Sequence, residues 1–189
     1  MVPMSLRHAL LGLLAGAPGS GYDLLKRFEG SMAHVWPATQ SQLYTELGKL
    51  SDGGLIEVVA EGPRGRKDYD ITADGRHELE RWLTETEPDR TVRDETVLRT
   101  FFMWAVDEEQ ARAFFEREAK LAQRYLENLR RIADSHDFRD GRPEWFGRIA
   151  LENGLRISEA YVGWTEWAVD HVDVPADDAP TSESRRRRS

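Results

Sequence analysis

The sequence predicts a mostly α protein: an N-terminal winged helix-turn-helix (three helices, a β-hairpin wing and a linking helix) followed by a C-terminal domain of long helices. Three observations predict it. Apolar residues recur at three- and four-residue spacing through most of residues 5–172. The main interruption, Leu55–Ile71, is rich in β-branched residues on either side of a Gly/Pro turn, which reads as a hairpin. A polar stretch, Glu87-Pro88-Asp89-Arg90-Thr91, separates this part from a segment that is helical in pattern to its end. The boundaries that follow are 1–88 for the winged domain, 89–173 for the helical domain and 174–189 for a Pro/Asp/Ser tail ending in Arg185–Arg188, read as disordered.

Taken in order, Ser5–Ala15 carries Leu6, Leu10, Leu13 and Leu14 on one helical face, with Ser5 as the expected N-cap. Gly16–Gly21 breaks it, and Ser20 is placed to cap a second helix, Gly21–Gly30, with Leu24, Leu25 and Phe28 inward. A third helix opens near Thr39, buries Leu43, Leu47 and Leu50, and stops at Gly53-Gly54. Strands Leu55–Glu61 and Lys67–Ile71 flank Gly62–Arg66. Thr72 is the expected cap of a fourth helix with Leu79, Trp82 and Leu83 as its apolar side.

Beyond the boundary, Val92–Val106 reads as one helix with Val97, Leu98, Phe101, Phe102 and Ala105 inside. Asp107 caps a long helix to His136, with Phe114, Phe115, Tyr125, Leu126 and Leu129 on its stripe. Glu144–Val172 is a second long helix carrying Phe146, Ile149, Ile157, Tyr161, Trp164 and Ala168. Helices near thirty residues are about 40–45 Å long, too thin to enclose their own stripes. The expected solution is a homodimer clasped through these arms, the alternative being a hairpin within a monomer. Asn153, on the otherwise apolar stripe of the last helix, suits a register-setting role first and an amide offered to a ligand second.

Bulk composition narrows the function. There are 189 residues and no cysteine, which removes disulfides, thiolate metal sites and a cysteine nucleophile. The five histidines lie far apart, without ligand spacing. No run of apolar residues is long enough to span a membrane. The apolar run His8–Ala17 is interrupted by Gly12 and leads into more helix, not a cleavage site. A cytoplasmic protein is expected, with no cofactor and no enzyme motif such as Gly-x-Ser-x-Gly or His-Glu-x-x-His.

The net charge of −8 argues against nucleic acid until its distribution is considered. Arg64, Arg66 and Lys67 fall within four positions at the hairpin tip, where a wing touches the backbone or enters the minor groove. The first turn of the third helix offers Thr39, Gln40, Ser41 and Gln42. These are short donors and acceptors at the end that faces base edges in a helix-turn-helix. A glutamine there suits adenine, worth about 1–3 kcal/mol of discrimination. Tyr44 and Thr45 follow one turn on, Lys49 lies further along, and Lys26 and Arg27 of the second helix are available for phosphates. The expected partner is double-stranded DNA with a palindromic operator. The alternative is a protein-interaction module that kept the winged fold without DNA binding.

Six tryptophans are many for this length. Aromatic residues at helical spacing are first of all core. The sharper expectation is a planar, apolar effector walled by Trp36, Phe102, Tyr161 and Trp164.

The stretches LRHALLGLLAGAPGSGYDLLKRF (6–28), SQLYTELGKLSDGGLIEV (41–58) and GRKDYDITADGRHELERWL (65–83) resemble the PadR-like transcriptional regulators. RDETVLRTFF (93–102) and YVGWTEWAVDHV (161–172) resemble the subgroup with a long virulence-activator-like C-terminal domain. The resemblance covers about residues 4–173. It implies a dimeric repressor released from DNA by a small aromatic or hydrophobic effector. By position it assigns Gln42 and Tyr44 to DNA contact and Tyr22 to support of the DNA face. The chain departs from the family pattern at Thr45, where proline is common, and at Asp68 and Asp70, acids beside the wing tyrosine Tyr69.

Overall fold

The structure, a computed structural model, describes residues 4–32, 35–91, 93–139 and 141–173. The expected tail, 174–189, lies outside the described residues. The chain divides into two compact units, Met1–Arg90 and Thr91–Ser189.

In the first unit, α1 (Met4–Gly16) leads to α2 (Gly21–Ser31), α3 (Gln40–Asp52) and α4 (Ala73–Thr84). Ser5 lies inside the first turn of α1 and is not its cap, because the helix starts one residue earlier. Leu6, Leu10, Leu11, Leu14, Leu24, Leu25, Phe28, Leu43, Leu47, Leu50, Ile56 and Ile71 form one buried core. Each helix contributes one stripe, as the four-residue spacing requires.

Strand β1 (Gly19–Ser20) was not expected from sequence. It joins β2 (Ile56–Glu61) and β3 (Lys67–Ile71) in an antiparallel sheet of order β1-β3-β2. Gly19 pairs with Tyr69 and Ser20 with Asp68, so the α1–α2 turn is stitched to the hairpin. A two-residue strand carries no periodicity and is invisible before its partner is known. Between Val58 and Ala60 the β2–β3 register shifts at a bulge.

The α3–β2 junction needs Gly54, whose φ of +69° is left-handed. Leu55 N–H then donates to Leu50 O at 2.9 Å, and the chain turns into β2. Thr72 accepts from Gly75 N–H at 3.1 Å to cap α4, and donates to Gly54 O at 2.8 Å. On α4, Leu79 packs on the core, while Leu83 is exposed, contrary to the expected apolar side. Trp82 stacks on His8 of α1, with ring centres 4.7 Å apart and planes 6° from parallel.

In the second unit the expected helix over 92–106 is broken. It is a short α5 (Glu95–Thr100) and a 3-10 turn, Met103–Ala105. Thr100 Oγ1 donates back to Thr96 O at 2.9 Å, and the following amides close three-residue bonds, Phe102 to Arg99 O and Ala105 to Phe102 O. Val97, Leu98, Phe101, Phe102 and Ala105, expected inside, are exposed in the single chain.

Helices α6 (Glu108–Ser135) and α7 (Arg142–Asp170), 28 and 29 residues long, form a hairpin. Asp107 caps α6 by accepting from Gln110 N–H at 2.7 Å. The hairpin interior holds Ala122, Leu126, Leu129, Leu151, Leu155 and Val162, and a second cluster gathers Phe114, Phe115 and Ala168. Part of the stripe is therefore enclosed within one chain, as in the hairpin given above as the alternative, and the rest is left exposed. Of the stripe expected on α7, Ala168 is buried and Tyr161 and Trp164 are half-buried against the two clusters, but the rest of the buried side is Leu151, Leu155, Ser158, Val162 and Thr165. Phe146, Ile149 and Ile157 face outward, as does Tyr125 of α6.

Candidate nucleic-acid interface

The expected recognition helix is α3. Its buried side is Leu43, Glu46, Leu47 and Leu50. Its other side, Gln40, Ser41, Tyr44, Thr45 and Lys49, is exposed. The burial of every third or fourth residue fixes the rotation of the helix, so the outward set is determined by the core.

The first turn is preorganised by a capping box. Gln42 N–H donates to Thr39 Oγ1 at 3.3 Å. The Gln42 Oε1 accepts from Thr39 N–H at 2.8 Å and from the Thr39 hydroxyl at 3.1 Å. Thr39 and Gln42 thus satisfy each other. The Gln42 side chain, expected to read a base, has its carbonyl oxygen engaged in the cap. The Thr45 hydroxyl donates to Ser41 O at 2.8 Å. Gln40 and Ser41 are left as the outward polar groups of the turn.

Beside α3 lies the exposed face of α2. The Tyr44 ring rests on Gly21: a Cβ there would stand 2.5 Å from a ring carbon. Tyr22 is exposed, with Lys26 Nζ 4.8 Å from its ring centre. The Tyr22 hydroxyl holds the Lys26 ammonium above its ordinary pKa, so the cation persists.

The cations differ in how free they are. Lys49 pairs with the buried carboxylate of Glu46 at 2.6 Å. Arg27 donates to Ala17 O at 2.8 Å and Pro18 O at 2.9 Å, bracing the α1–α2 turn. It is a structural clip, contrary to the expected phosphate contact. Arg66 donates to Asp68 Oδ1 at 3.0 Å and to Asp23 Oδ2 at 3.2 Å. Asp68, then Asp23, raises the Arg66 pKa. Lys67 is exposed at the start of β3. The Arg64 side chain lies outside the described residues, though its backbone forms the 3-10 turn Pro63–Gly65.

Asp23 itself belongs to the α2 cap. Its carboxylate accepts from the Ser20 hydroxyl at 2.6 Å and from Ser20 N–H at 3.1 Å, and these bonds lower its pKa, the hydroxyl most. Sequence reasoning missed Gly21 and Asp23 as parts of this surface. The Ser20-x-x-Asp23 capping signature was readable. The reach of Arg66 across 43 positions was not.

Of the candidate effector walls, Trp36 packs on the core of the first unit. Tyr161 and Trp164 are neighbours in the second, with ring centres 5.2 Å apart. They line different open cavities. Trp164 joins Val97, Thr100 and Phe101 around about 240 Å³, and Tyr161 joins Ala122, Tyr125, Ile157 and Ser158 around about 190 Å³. Burial holds the Tyr161 hydroxyl above its ordinary pKa, with a smaller opposing effect from a hydrogen bond to Thr96. Phe102 is exposed after α5.

The negative transcriptional regulator PadR of Bacillus subtilis is 32% identical over 179 residues, spanning 89% of this chain and 97% of that protein. The chain belongs to the PadR-like family of transcriptional regulators. The family model described as transcriptional regulator PadR-like matches residues 10–81, and that described as virulence activator alpha C-term matches 92–173. Crystal structures of B. subtilis PadR in complex with operator DNA and with p-coumaric acid both superpose with a TM-score of 0.78 at 30% identity, covering 89% of this chain and 99% of theirs. The Vibrio cholerae virulence activator AphA shares the fold, with a TM-score of 0.75 at 24% identity over 88% of this chain and 97% of that one. The expected family and fold class, a winged helix-turn-helix with a helical C-terminal region, are those of these PadR-like structures.

Proposed function

We propose that this PadR-like regulator is a cytoplasmic, homodimeric repressor without catalytic activity. It binds a palindromic operator through α3 and the wing, and a small aromatic effector releases it. The observation that carries this reading is the outward side of α3. Gln40, Ser41, Tyr44 and Thr45 project from a helix whose other side is locked into the core and whose first turn is capped from within. Such a turn meets base edges without first having to order itself. Tyr22, Lys26, Lys49, Arg64, Arg66 and Lys67 supply phosphate contacts around it. The operator-bound and p-coumaric-acid-bound states of B. subtilis PadR support the same division of labour here.

The working division is a head over 1–88, an arm over 89–173 and a tail over 174–189. Dimerisation is supported by α7, which is apolar on two opposite sides. One side is enclosed by α6. The other exposes Trp145, Phe146, Ile149, Ile157 and Trp167. A helix with two apolar sides needs two partners. Tyr161 and Trp164 are the effector walls best placed in the arm, with Phe102 and Trp36 as further candidates.

The test is selection of bound fragments from a random duplex pool, followed by anisotropy titration across salt. Recovery of an inverted repeat bound two protomers at a time supports the reading. A failure to enrich any sequence, with Arg66→Ala and Lys67→Ala leaving duplex binding unchanged, refutes it and leaves a winged protein-interaction module.

A further inference from the structure

We propose that Asp68, together with Asp23, acts as an internal competitor for DNA. The two carboxylates hold the Arg66 guanidinium, and a phosphate must displace them before the wing engages. This rests on the DNA-binding reading of the wing. It concerns a different question, namely what limits the affinity.

The geometry is specific. Arg66 Nε donates to Asp68 Oδ1 at 3.0 Å, and its Nη2 reaches Asp23 Oδ2 at 3.2 Å. One arginine at the base of the wing therefore bridges two elements, β3 and the first turn of α2. Its side chain is 55% exposed, so a phosphate has access to it while it is paired. Asp23 does not depend on Arg66 for its place. It is already held by the Ser20 hydroxyl and N–H. Asp68 is positioned by strand pairing, opposite Ser20. Both acids are thus fixed by backbone-level structure, and the arginine is the movable member.

Carboxylate and phosphate compete for the same fork of N–H donors, so each bond to DNA costs one to an aspartate. The acid that remains then lies against the phosphate backbone. Both effects weaken binding without regard to sequence, because phosphate contacts carry no base information. A regulator that must leave its operator on binding a small ligand benefits, since the coupling energy available from an effector is limited.

The test is a double-substitution cycle on the full-length protein, read by anisotropy on the selected operator and on a scrambled duplex. Asp68→Asn removes the charge and keeps the shape. Affinity should rise about threefold per head, and so about tenfold for two heads, at about 0.1 M salt. The gain should be equal on both duplexes and should shrink as salt is raised. In an Arg66→Ala background, Asp68→Asn should give a clearly smaller gain, the part due to charge repulsion alone, because the competition for the guanidinium is gone. Asp23→Asn, which keeps an oxygen to accept from Ser20, should reproduce the effect more weakly and guards against a local misfold at position 68.

Two results overturn the proposal: no gain from either asparagine in a folded protein, or an equal gain with and without Arg66, which would make Asp68 a simple repulsive charge. A wild-type protein that binds no duplex at all refutes the DNA-binding reading itself, and so is distinguishable from both.

Discussion

At the scale of single residues, the surface proposed for DNA recognition depends on what is missing from Gly21. The Tyr44 ring occupies the space a side chain would take, with a ring carbon 2.5 Å from the missing Cβ. Tyr44 is partly exposed and its ring can swing away. Gly21→Ala should therefore cost little stability, about 1 kcal/mol or less once the gain in helix propensity is counted. It should nonetheless displace Tyr44 and lower operator affinity severalfold. A thermal melt beside an anisotropy titration checks this, and a large loss of Tm with unchanged affinity would contradict it. His8 makes a second residue-scale case. It is buried, stacked on Trp82, and within 3.0 Å of Glu78 Oε1. Glu78 also pairs with Arg81 at 2.6 Å, and Arg81 first, then His8, holds its carboxyl below the ordinary value of 4.5. A carboxyl depressed in the folded state stabilises above its unfolded value and loses that contribution as pH falls through the folded one. Glu78→Gln should thus cost about 1–3 kcal/mol near neutral pH. The gap from wild type in urea titrations should narrow as pH drops below 4.5. A gap that stays constant from pH 7 to pH 3 would show that the pairing does not carry it.

At the scale of elements, legibility followed the local signals. The α2, α3, α4 and α6 starts were readable because Ser20, Thr39, Thr72 and Asp107 are short side chains that accept from the third amide beyond. The wing was readable from Gly62–Arg66. The break after α5 was not, because Val92–Val106 contains no glycine or proline and its apolar spacing continues across the 3-10 turn. What decides there is tertiary: Met103 turns toward the Phe114–Phe115 cluster while Trp104 stays 81% exposed. The α7 stripe was misread in part, for a similar reason. A helix that is apolar on two sides offers two equally good phases, and only the partner α6 selects one. At the α6–α7 contact Leu129 is fully buried, and its Cδ1 lies 3.4 Å from where a Gly154 Cβ would be. The small residue admits the large one. Leu129→Ala should cost about 2–5 kcal/mol, measured by chemical denaturation. A loss below about 1 kcal/mol would mean that the hairpin closes over the gap.

At the scale of the whole molecule, the outer side of α7 is an apolar face that the described residues of the single chain leave exposed. Ile149 and Ile157 lie two turns apart on that side, with Trp145 and Phe146 before them and Trp167 beyond. The opposite side, through Leu151, Leu155 and Val162, is closed against α6. The two sides therefore separate assembly from folding, and substitutions can address them one at a time. Ile149→Asp with Ile157→Asp places two charges on the outer side, where a monomer tolerates them in water and a dimer would bury them unpaired. The expected result is a folded chain with an unchanged helical circular-dichroism signal that sediments as one protomer at micromolar concentration. Binding to a single half-site should persist at wild-type strength. Binding to the full palindrome should fall by about a hundredfold, the share that linkage of two heads supplies. Leu155→Asp is the contrasting variant, because a charge inside the hairpin unfolds the arm as well as separating it. If the double variant still sediments as a dimer and binds the palindrome as the wild type does, the heads are paired through another surface, and the exposed aromatic residues around α5 become the place to cut.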